Sequence, residues 1–332
     1  MNNQDISRRQ FLSAAAFAAA GVALSSRSAF GAPAFIKNLG KPNSMFNGVQ
    51  IGVISYSWRS MPGSAEQILQ YCVDCNISAI ELMGNAAEEF AGAPPAPPRN
   101  PGQGGQRQPL TPEQEAAQAE YSKKMAAWRA SVPMKKFEQL RKMYKDAGVS
   151  IYAYKPNALG EKNTDAEIDY TFRAAKALGA SHATVELPGN AAQSKRLGDI
   201  AARNKVYVGY HGHLQQTFTA WDEALKQSPY NAMNFDMGHY VAAGFDPIPL
   251  IEAKHKHIVS MHTKDRKSKE NGGENMPWGQ GDTPIVEVLQ LMQKNKYKFP
   301  ATIELEYEIP AVSDAVKETA KCVEYARKAL SV

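Results

Sequence analysis

The chain contains few cysteines, and their pattern argues against redox or metal chemistry. Only three occur in 332 residues, and Cys72 and Cys75 have the spacing of a redox motif. Together with Ile68 and Leu69 they form one apolar face of a predicted helix, which favours packing in the core. Metal binding by this pair requires more ligands than the neighbouring sequence offers.

Other absences narrow the choice of partner. No cluster of Lys and Arg with interleaved aromatic residues occurs, and the net charge at pH 7 is a mild +5, so nucleic acid is not expected to bind. No Gly-rich loop of the phosphate-cradling type is evident, which argues against a phosphorylated substrate. With 43% apolar residues, the chain is long enough to bury a large core.

The N-terminus has the features of a targeting segment. Residues 7–12 read Ser-Arg-Arg-Gln-Phe-Leu, an Ala-rich run covers 13–24, and small residues precede Ala32. This pattern predicts a twin-arginine signal peptide over residues 1–31 and an exported, periplasmic protein without a stable membrane span after signal removal. A single membrane anchor is the alternative, but the apolar run is shorter than the ~20 residues that span a bilayer. Residues 32–48 are predicted to be a linker.

From residue 49 onward, strand and helix signals alternate. Eight short apolar segments are separated by amphipathic helical segments, which predicts parallel β-structure and a (β/α)8 TIM barrel over residues 49–332. A doubly wound open sheet is the alternative, but ligand-type residues on many consecutive strands favour a ring. The predicted strands are 49–55, 78–82, 149–154, 182–186, 206–211, 233–236, 258–262 and 301–304.

One segment interrupts the alternation, a Pro/Gly-rich insertion at about 86–112. It follows the second strand and therefore leaves from the face on which TIM barrels carry their active sites. Residues 91–110 are predicted to be a disordered surface loop. The helix predicted after it, to about residue 130, is a candidate for a lid or for a contact in a homo-oligomer.

Five predicted strands end in residues that commonly bind metals. These residues are separated by 25, 25, 26 and 42 positions, close to one strand-plus-helix unit for the first three intervals. Because a parallel barrel gathers the C-terminal ends of its strands on one face, the five side chains are expected to lie together. They are Glu186, His211, Asp236, His262 and Glu304.

The alternation of side chains along each strand refines this set. Glu186, Asp236, His262 and Glu304 all fall on the face opposite the bulky apolar residues, which predicts that they point into the barrel. Three carboxylates and one imidazole suit Mn²⁺, Mg²⁺ or Co²⁺, with Zn²⁺ as a further possibility. The alternative is that the glutamates form buried ion pairs. The strand-eight ligand is also open to a shift by two residues, to Glu306.

Two further histidines and a lysine are candidates for contact with a substrate. His211 and His213 lie two apart at a strand end, where either can ligate a metal or hydrogen bond to a substrate. His239 follows Asp236 by three residues and is predicted to touch substrate or to support the site. Lys155, at the end of the third strand, either neutralises an anionic oxygen or is a surface residue.

Three more groups are predicted near the substrate. Glu81 occupies, in Ile-Glu-Leu, the place that Glu186 and Glu304 occupy in similar strands, and is a substrate or supporting group. The run Thr-Lys-Asp-Arg after His262 ends at Arg266 and offers cations for a substrate hydroxyl or carbonyl. Trp278 lies in a Gly-containing loop from which an aromatic ring can close over a sugar.

The strand-end motifs of residues 49–330 resemble the xylose isomerase-like TIM-barrel superfamily, often described as sugar phosphate isomerase/epimerase. The resemblance implies that Glu186, Asp236, His262 and Glu304 bind a divalent metal. It also implies that the two glutamates serve as acid/base groups, with His239 and Arg266 near the substrate. The motifs are Thr-Val-Glu-Leu, Tyr-His-Gly-His, Phe-Asp-Met-Gly-His, Met-His-Thr-Lys-Asp-Arg, Trp-Gly-Gln-Gly-Asp and Thr-Ile-Glu.

Such a site supports proton abstraction next to a carbonyl, with the metal stabilising an enediolate. The expected activity is isomerisation or epimerisation of a carbohydrate by Glu186 and Glu304. Elimination from an oxidised sugar or glycoside, by a lyase or dehydratase, begins with the same step. A non-catalytic sugar-binding barrel and a phosphodiesterase of the same barrel class are the remaining alternatives.

Overall fold

The computed structural model describes residues 40–98 and 109–331. The predicted signal peptide therefore lies outside the described residues. Within the described part, no helix combines the length and the apolar character needed to cross a bilayer. The end of the predicted linker belongs to the fold, since β1 (Met45–Phe46) pairs antiparallel with the first barrel strand, β2.

Eight parallel strands form a closed ring. Each strand pairs with its neighbours in the order β2, β3, β4, β5, β6, β7, β8 and β11, and β11 pairs with β2 to complete the circle. The (β/α)8 TIM barrel is confirmed, and the open doubly wound sheet is wrong because an open sheet leaves two unpaired edges. The strands are β2 (Val49–Ile54), β3 (Ala79–Met83), β4 (Ser150–Lys155), β5 (His182–Glu186), β6 (Tyr207–His211), β7 (Asn231–Asp236), β8 (Ile258–Thr263) and β11 (Ala301–Ile303).

Helices connect the strands and cover the outside of the ring. The loop after β8 carries a small antiparallel pair, β9 (Asp265–Arg266) and β10 (Asn275–Met276). The helices are α1 (Ala65–Asp74), α2 (Gly84–Phe90), α3 (Pro112–Ser131), α4 (Lys135–Asp146), α5 (Asp165–Leu178), α6 (Ala191–Asn204), α7 (Asp222–Gln227), α8 (Met237–Ala242), α9 (Pro247–Lys254), α10 (Ile285–Asn295) and α11 (Ala315–Ala329).

The helix boundaries follow from local chemistry. Ser64 and Thr164 begin α1 and α5 with reciprocal capping boxes, in which the side chain three residues later returns a hydrogen bond to the cap. Gly179 ends α5 in the left-handed conformation, at φ 82°, which costs glycine little. These caps and the amphipathic faces explain why the helices lie close to their predicted positions.

The apolar core lies between the ring and its helices, while the lumen is polar. Tyr152 points inward from β4, and its hydroxyl lies 2.6 Å from that of Thr302 on β11. Gly52 makes room for this ring, because a Cβ there would lie 2.8 Å from the Tyr152 ring. Cys72, Cys75 and Cys322 are buried and free, so the predicted core role of the cysteines is confirmed.

The described part of the predicted insertion contacts an internal ion pair, and residues 99–108 of the predicted disordered loop lie outside the described residues. Residues 86–90 belong to α2, and α3 is the helix expected after the insertion. Arg129 of α3 is buried and donates to both carboxylate oxygens of Glu88, at 2.9 and 3.3 Å, and to Glu167 at 3.2 Å. A buried guanidinium paired in this way fixes α3 against α2 and α5.

Candidate active site

The ends of four neighbouring strands place four metal-ligand-type side chains together. One potential ligand atom from each lies within 4.8 Å of the others, and all four residues are buried. Three of them belong to the predicted metal set. They come from β6, β7, β8 and the end of β11, and they are His211, Asp236, His262 and Glu304.

Asp236 supplies an oxygen that has no hydrogen-bond partner. Its Oδ1 caps α8 by accepting from the backbone N–H of His239 at 2.8 Å. Its Oδ2 is buried without a hydrogen bond and lies 3.8 Å from His211 Nε2 and 3.9 Å from His262 Nδ1. The Lys264 ammonium, 3.1 Å away, supplies the positive charge that this buried oxygen requires.

The neighbours of His211 determine which of its nitrogens faces the cluster. Asn234 uses its amide N–H groups to donate to Ser260 Oγ at 2.8 Å and to Glu81 Oε2 at 3.3 Å, so its carbonyl oxygen is left to accept. His211 Nδ1 lies 2.9 Å from that oxygen and is therefore its donor. Burial and the nearby His262 and Lys155 keep the pKa of His211 well below its usual value. The neutral ring thus directs the lone pair of Nε2 at the cluster.

His262 is held between two carboxylates. Its Nε2 lies 2.9 Å from Glu81 Oε2 and its Nδ1 3.0 Å from Glu304 Oε2. Burial alone disfavours the charged ring, but Glu304 and Glu81 outweigh it and raise the pKa of His262 to about 10. A metal held by His262 would take the place of a ring proton, and the Glu81 carboxylate would orient the ring through its Nε2–H.

A buried lysine brings a positive charge into the cluster. Lys264 Nζ lies 2.6 Å from Glu304 Oε2, 2.7 Å from Glu306 Oε2 and 3.1 Å from Asp236 Oδ2. Burial opposes ionisation of Lys264, but Asp236, Glu304 and Glu306 outweigh it and raise the pKa of the amine. Burial likewise favours the neutral acid of Glu304, but Lys264 and His262 keep its pKa well below the usual range. Glu304 is therefore a carboxylate at neutral pH.

Glu186 lies apart from this group. Its side chain is 49% exposed, and its carboxylate contacts Lys155 Nζ at 3.0 Å and His213 Nε2 at 3.6 Å. The structure thus brings three of the four predicted ligands together and places His211 where Glu186 was expected. Lys155, Glu186 and His213 form a more exposed group next to the cluster, and the His213 ring lies 4.8 Å from that of His211 and 4.7 Å from that of His239 between centroids.

His239 and Arg266 lie at the rim of the cluster, as expected for residues near a substrate. The His239 ring contacts Lys264 Nζ at 3.1 Å and the Arg266 guanidinium on its other nitrogen. Burial, with help from Lys264 and Arg266, lowers the pKa of His239 to about 3. The ring is therefore neutral and offers one donor and one acceptor.

The structure places Glu81 and Trp278 away from an open substrate pocket. Glu81 is completely buried and hydrogen bonds to His262, Asn234 and Thr184, a position suited to orienting His262 and not to touching substrate. Trp278 is 9% exposed and packs edge-on against Tyr325 at 5.9 Å between ring centroids. Glu81 is occupied by protein contacts, whereas the buried Nε1–H of Trp278 has no hydrogen-bond partner among the described residues.

The donors present fit a divalent metal. Two imidazole nitrogens and two carboxylate oxygens converge, one oxygen lacks a hydrogen bond, and both histidines have partners that orient them. This mixed set suits Mn²⁺, Co²⁺ or Zn²⁺ better than Mg²⁺, which prefers oxygen ligands alone. The Lys264 ammonium, which contacts the same two carboxylates, and the proton on His262 both oppose a further cation.

Comparison with protein families assigns the fold to a family. The model of the xylose isomerase-like TIM barrel matches residues 114–328, about two thirds of the chain. The chain therefore belongs to the xylose isomerase-like TIM-barrel family, as the strand-end motifs indicate. The solved structures that resemble the chain share its fold at low sequence identity.

Individual relatives are distant. An inosose dehydratase from Clostridium botulinum is 23% identical over 158 residues, which cover 41% of this chain and 52% of that protein. The chain thus spans about half the length of this curated relative. The 3-keto-D-glucoside 4-epimerase YcjR from E. coli has a TM-score of 0.57 at 10% identity, covering 84% of this chain and 99% of YcjR. A D-psicose 3-epimerase from Clostridium cellulolyticum H10 has a TM-score of 0.58 at 10% identity, covering 86% and 100% of the two chains.

Proposed function

We propose that the protein is a divalent-metal-dependent isomerase or epimerase that removes a proton next to a carbonyl of a carbohydrate. Asp236, His262, Glu304 and His211 are the proposed ligands, with His211 in the place first assigned to Glu186. A divalent ion bound there supplies a Lewis acid that polarises a carbonyl oxygen and stabilises the negative charge of an enediolate. Mn²⁺, Co²⁺ or Zn²⁺ is the proposed ion.

The residues around the cluster have distinct proposed roles. Glu304 is ionised and lies at the cluster, where a carboxylate can accept the proton from carbon. Glu186, on the strand next to that of His211, lies beside Lys155 and His213 and is the proposed group that returns a proton to the carbon. Neutral His239 is suited to hydrogen bonding with a substrate oxygen, and Lys155 to stabilising an anionic one.

The observation that supports this proposal is the convergence of two oriented histidines and two buried carboxylates, whose potential ligand atoms lie within 4.8 Å of one another. The test is a proton-exchange screen, in which candidate ketoses and 3-keto glycosides are incubated with the protein in D₂O. We expect deuterium uptake at the carbon next to the carbonyl, lost after chelation and restored by Mn²⁺. Metal-free protein that exchanges at the full rate contradicts the metal-dependent mechanism, and no exchange on any substrate favours a binding protein.

A dehydratase is the second candidate, and the similarity to an inosose dehydratase favours it. Elimination needs the same proton abstraction, followed by protonation of a leaving hydroxyl. Lys264 and Glu306 lie beside Glu304 and supply a possible acid for that second step. Product analysis separates the candidates, since exchange with an epimer supports the first, whereas an unsaturated or dehydrated product supports elimination.

We also propose export through the twin-arginine route to the periplasm. The supporting feature is the Arg8-Arg9 pair followed by an Ala-rich run and a small-residue cleavage site. The test compares the location of the full chain with that of an Arg8→Lys, Arg9→Lys double variant. We expect the native chain, shortened by about 31 residues, in the periplasm and the double variant in the cytoplasm. An equal distribution of both contradicts this route.

A further inference from the structure

Lys264 is a buried cation that three carboxylates hold within the cluster. Only 3% of its side chain is exposed, and its ammonium contacts carboxylates of Asp236, Glu304 and Glu306 within 3.1 Å. Its aliphatic stem passes over Gly238, where an added Cβ would lie 2.3 Å from Lys264 Cγ. The glycine at the start of α8 thus permits the lysine to reach the site.

The ammonium and the proposed metal need the same two oxygens. Asp236 Oδ2 is 3.1 Å and Glu304 Oε2 is 2.6 Å from Lys264 Nζ. The same two oxygens lie 3.9 and 3.0 Å from His262 Nδ1, among the proposed ligand atoms. Two cations cannot share these oxygens at low cost, because like charges a few ångströms apart repel strongly in a buried site.

Glu306 provides a second position for the ammonium. Its Oε2 lies 2.7 Å from Lys264 Nζ, its side chain is 24% exposed, and it is not among the clustered ligands. His239 Nε2, 3.1 Å from Nζ, offers a further contact on the same side. A small movement of Lys264 away from Asp236 and Glu304 therefore leaves it paired.

We propose that Lys264 is the counter-cation of the metal-free site and that a divalent ion displaces it toward Glu306 and His239. This inference rests on the proposed metal-dependent function. In the metal-free protein, the ammonium of Lys264 neutralises the negative charge of the buried carboxylates. After displacement, the same ammonium lies at the barrel mouth, where substrate oxygens enter. Glu304 and Glu306 are two residues apart at the end of the same strand but have different proposed roles. Glu304 binds the metal, and Glu306 pairs with the displaced ammonium of Lys264.

The test is calorimetric titration of the metal-free proteins with Mn²⁺ at fixed pH. We expect the Lys264→Met variant to bind Mn²⁺ about tenfold more tightly or better, because no ammonium has to be displaced. Lys155→Met is the matched control: it removes another cation of the barrel mouth, one that pairs with Glu186, and we expect a change within about threefold. Equal affinities of the wild type and Lys264→Met overturn the inference.

A double-mutant cycle isolates the role of Glu306. In the native background, Glu306→Gln is expected to weaken Mn²⁺ binding about fivefold, since the displaced lysine loses its receiving carboxylate. In the Lys264→Met background the same change is expected to have less than about a twofold effect. If Glu306→Gln lowers Mn²⁺ affinity equally in both backgrounds, Glu306 acts through its own charge and not through Lys264. That result contradicts the proposed displacement.

A measurement on the unmodified protein covers the case in which Lys264→Met does not fold. Brief acetylation followed by mass spectrometry reports the reactivity of individual lysines. We expect acetylation of Lys264 to increase severalfold when Mn²⁺ is added, while that of exposed Lys142 stays constant. If the protein binds Mn²⁺ but the reactivity of Lys264 does not change, the displacement of Lys264 is contradicted and the proposed metal-dependent function is not. Absence of Mn²⁺ binding in every protein contradicts the proposed function as well.

Discussion

The two sides of the barrel mouth differ in how deeply they enclose their charges. On the side of β6, β7, β8 and β11, carboxylates, histidines and Lys264 are almost completely buried and touch one another. On the side of β4 and β5, Lys155 and Glu186 pair at 3.0 Å with 21% and 49% of their side chains exposed. This difference supports the proposal that the enclosed side holds a cation in a fixed place and that the open side meets a ligand from solution.

The largest expected effect is on turnover, and metal content then distinguishes Glu304 on the enclosed side from Glu186 on the open side. Glu186→Gln and Glu304→Gln are each expected to lower turnover of the keto sugar identified by the exchange screen roughly 10²–10⁴-fold, since each removes an acid/base group. Only Glu304→Gln is expected to lose Mn²⁺ as well. Turnover and metal content are measured on the same samples, with exposed Glu308→Gln as the control from the same strand end. Full turnover in Glu186→Gln removes that residue from the mechanism.

The next effect concerns the buried network under the mouth. His182 begins β5, is completely buried, and lies between the hydroxyls of Ser181 and Ser260, at 2.8 and 2.9 Å. Burial lowers its pKa to about 4 from 6.5, so the neutral ring contributes stability that is present above pH 6.5 and lost as the pH falls through 4. The lost contribution amounts to roughly 3 kcal/mol.

Denaturant unfolding at pH 7 and pH 4 measures this loss. The difference in unfolding free energy between the two pH values is expected to be smaller in His182→Gln than in the wild type by that amount. His255, which is half-buried and stacked on Tyr297, provides the control variant His255→Gln, which removes a histidine outside this network. An equal acid sensitivity of His182→Gln and wild type contradicts the assignment.

A smaller effect on metal affinity is expected from the hydrogen bond between Glu81 and His262. Glu81→Gln replaces the carboxylate that orients His262 through Nε2, and losses of such outer partners typically lower metal affinity about 10–100-fold. Glu88→Gln is the matched control: it changes another buried glutamate, one that pairs with Arg129 away from the cluster. We expect Glu88→Gln to destabilise the fold and to leave Mn²⁺ affinity unchanged. Unaltered affinity in Glu81→Gln contradicts the orienting role.

The fold and most of the enclosed side follow from the sequence. Strand-to-helix alternation predicts the barrel, and side-chain alternation places Asp236, His262 and Glu304 in the lumen. The alternation of side chains along a strand predicts which face a side chain occupies but not how deeply it is buried. Burial depends on where the strand ends and on which residues surround the side chain. Glu186 therefore shares its predicted face with the ligands, yet it remains exposed beside Lys155.

Two assignments required the three-dimensional contacts. The proposed ligand role of His211 depends on Asn234, which orients the imidazole ring and is itself held by hydrogen bonds to Ser260 and Glu81. Lys264 continues the alternation of Ser260 and His262 beyond the strand, a signal that the sequence contains. Its burial is explicable only once three carboxylates from two strands are known to converge on it.

The most direct test of the enclosed metal site is a comparison of Mn²⁺ affinities in His211→Gln and Glu186→Gln by calorimetry, with the native protein as reference. Removal of His211, which lies in the cluster, is predicted to weaken binding about 100-fold or more, while removal of the exposed Glu186 is predicted to change it by less than about threefold. The opposite order, with Glu186→Gln losing the metal and His211→Gln retaining it, contradicts the account.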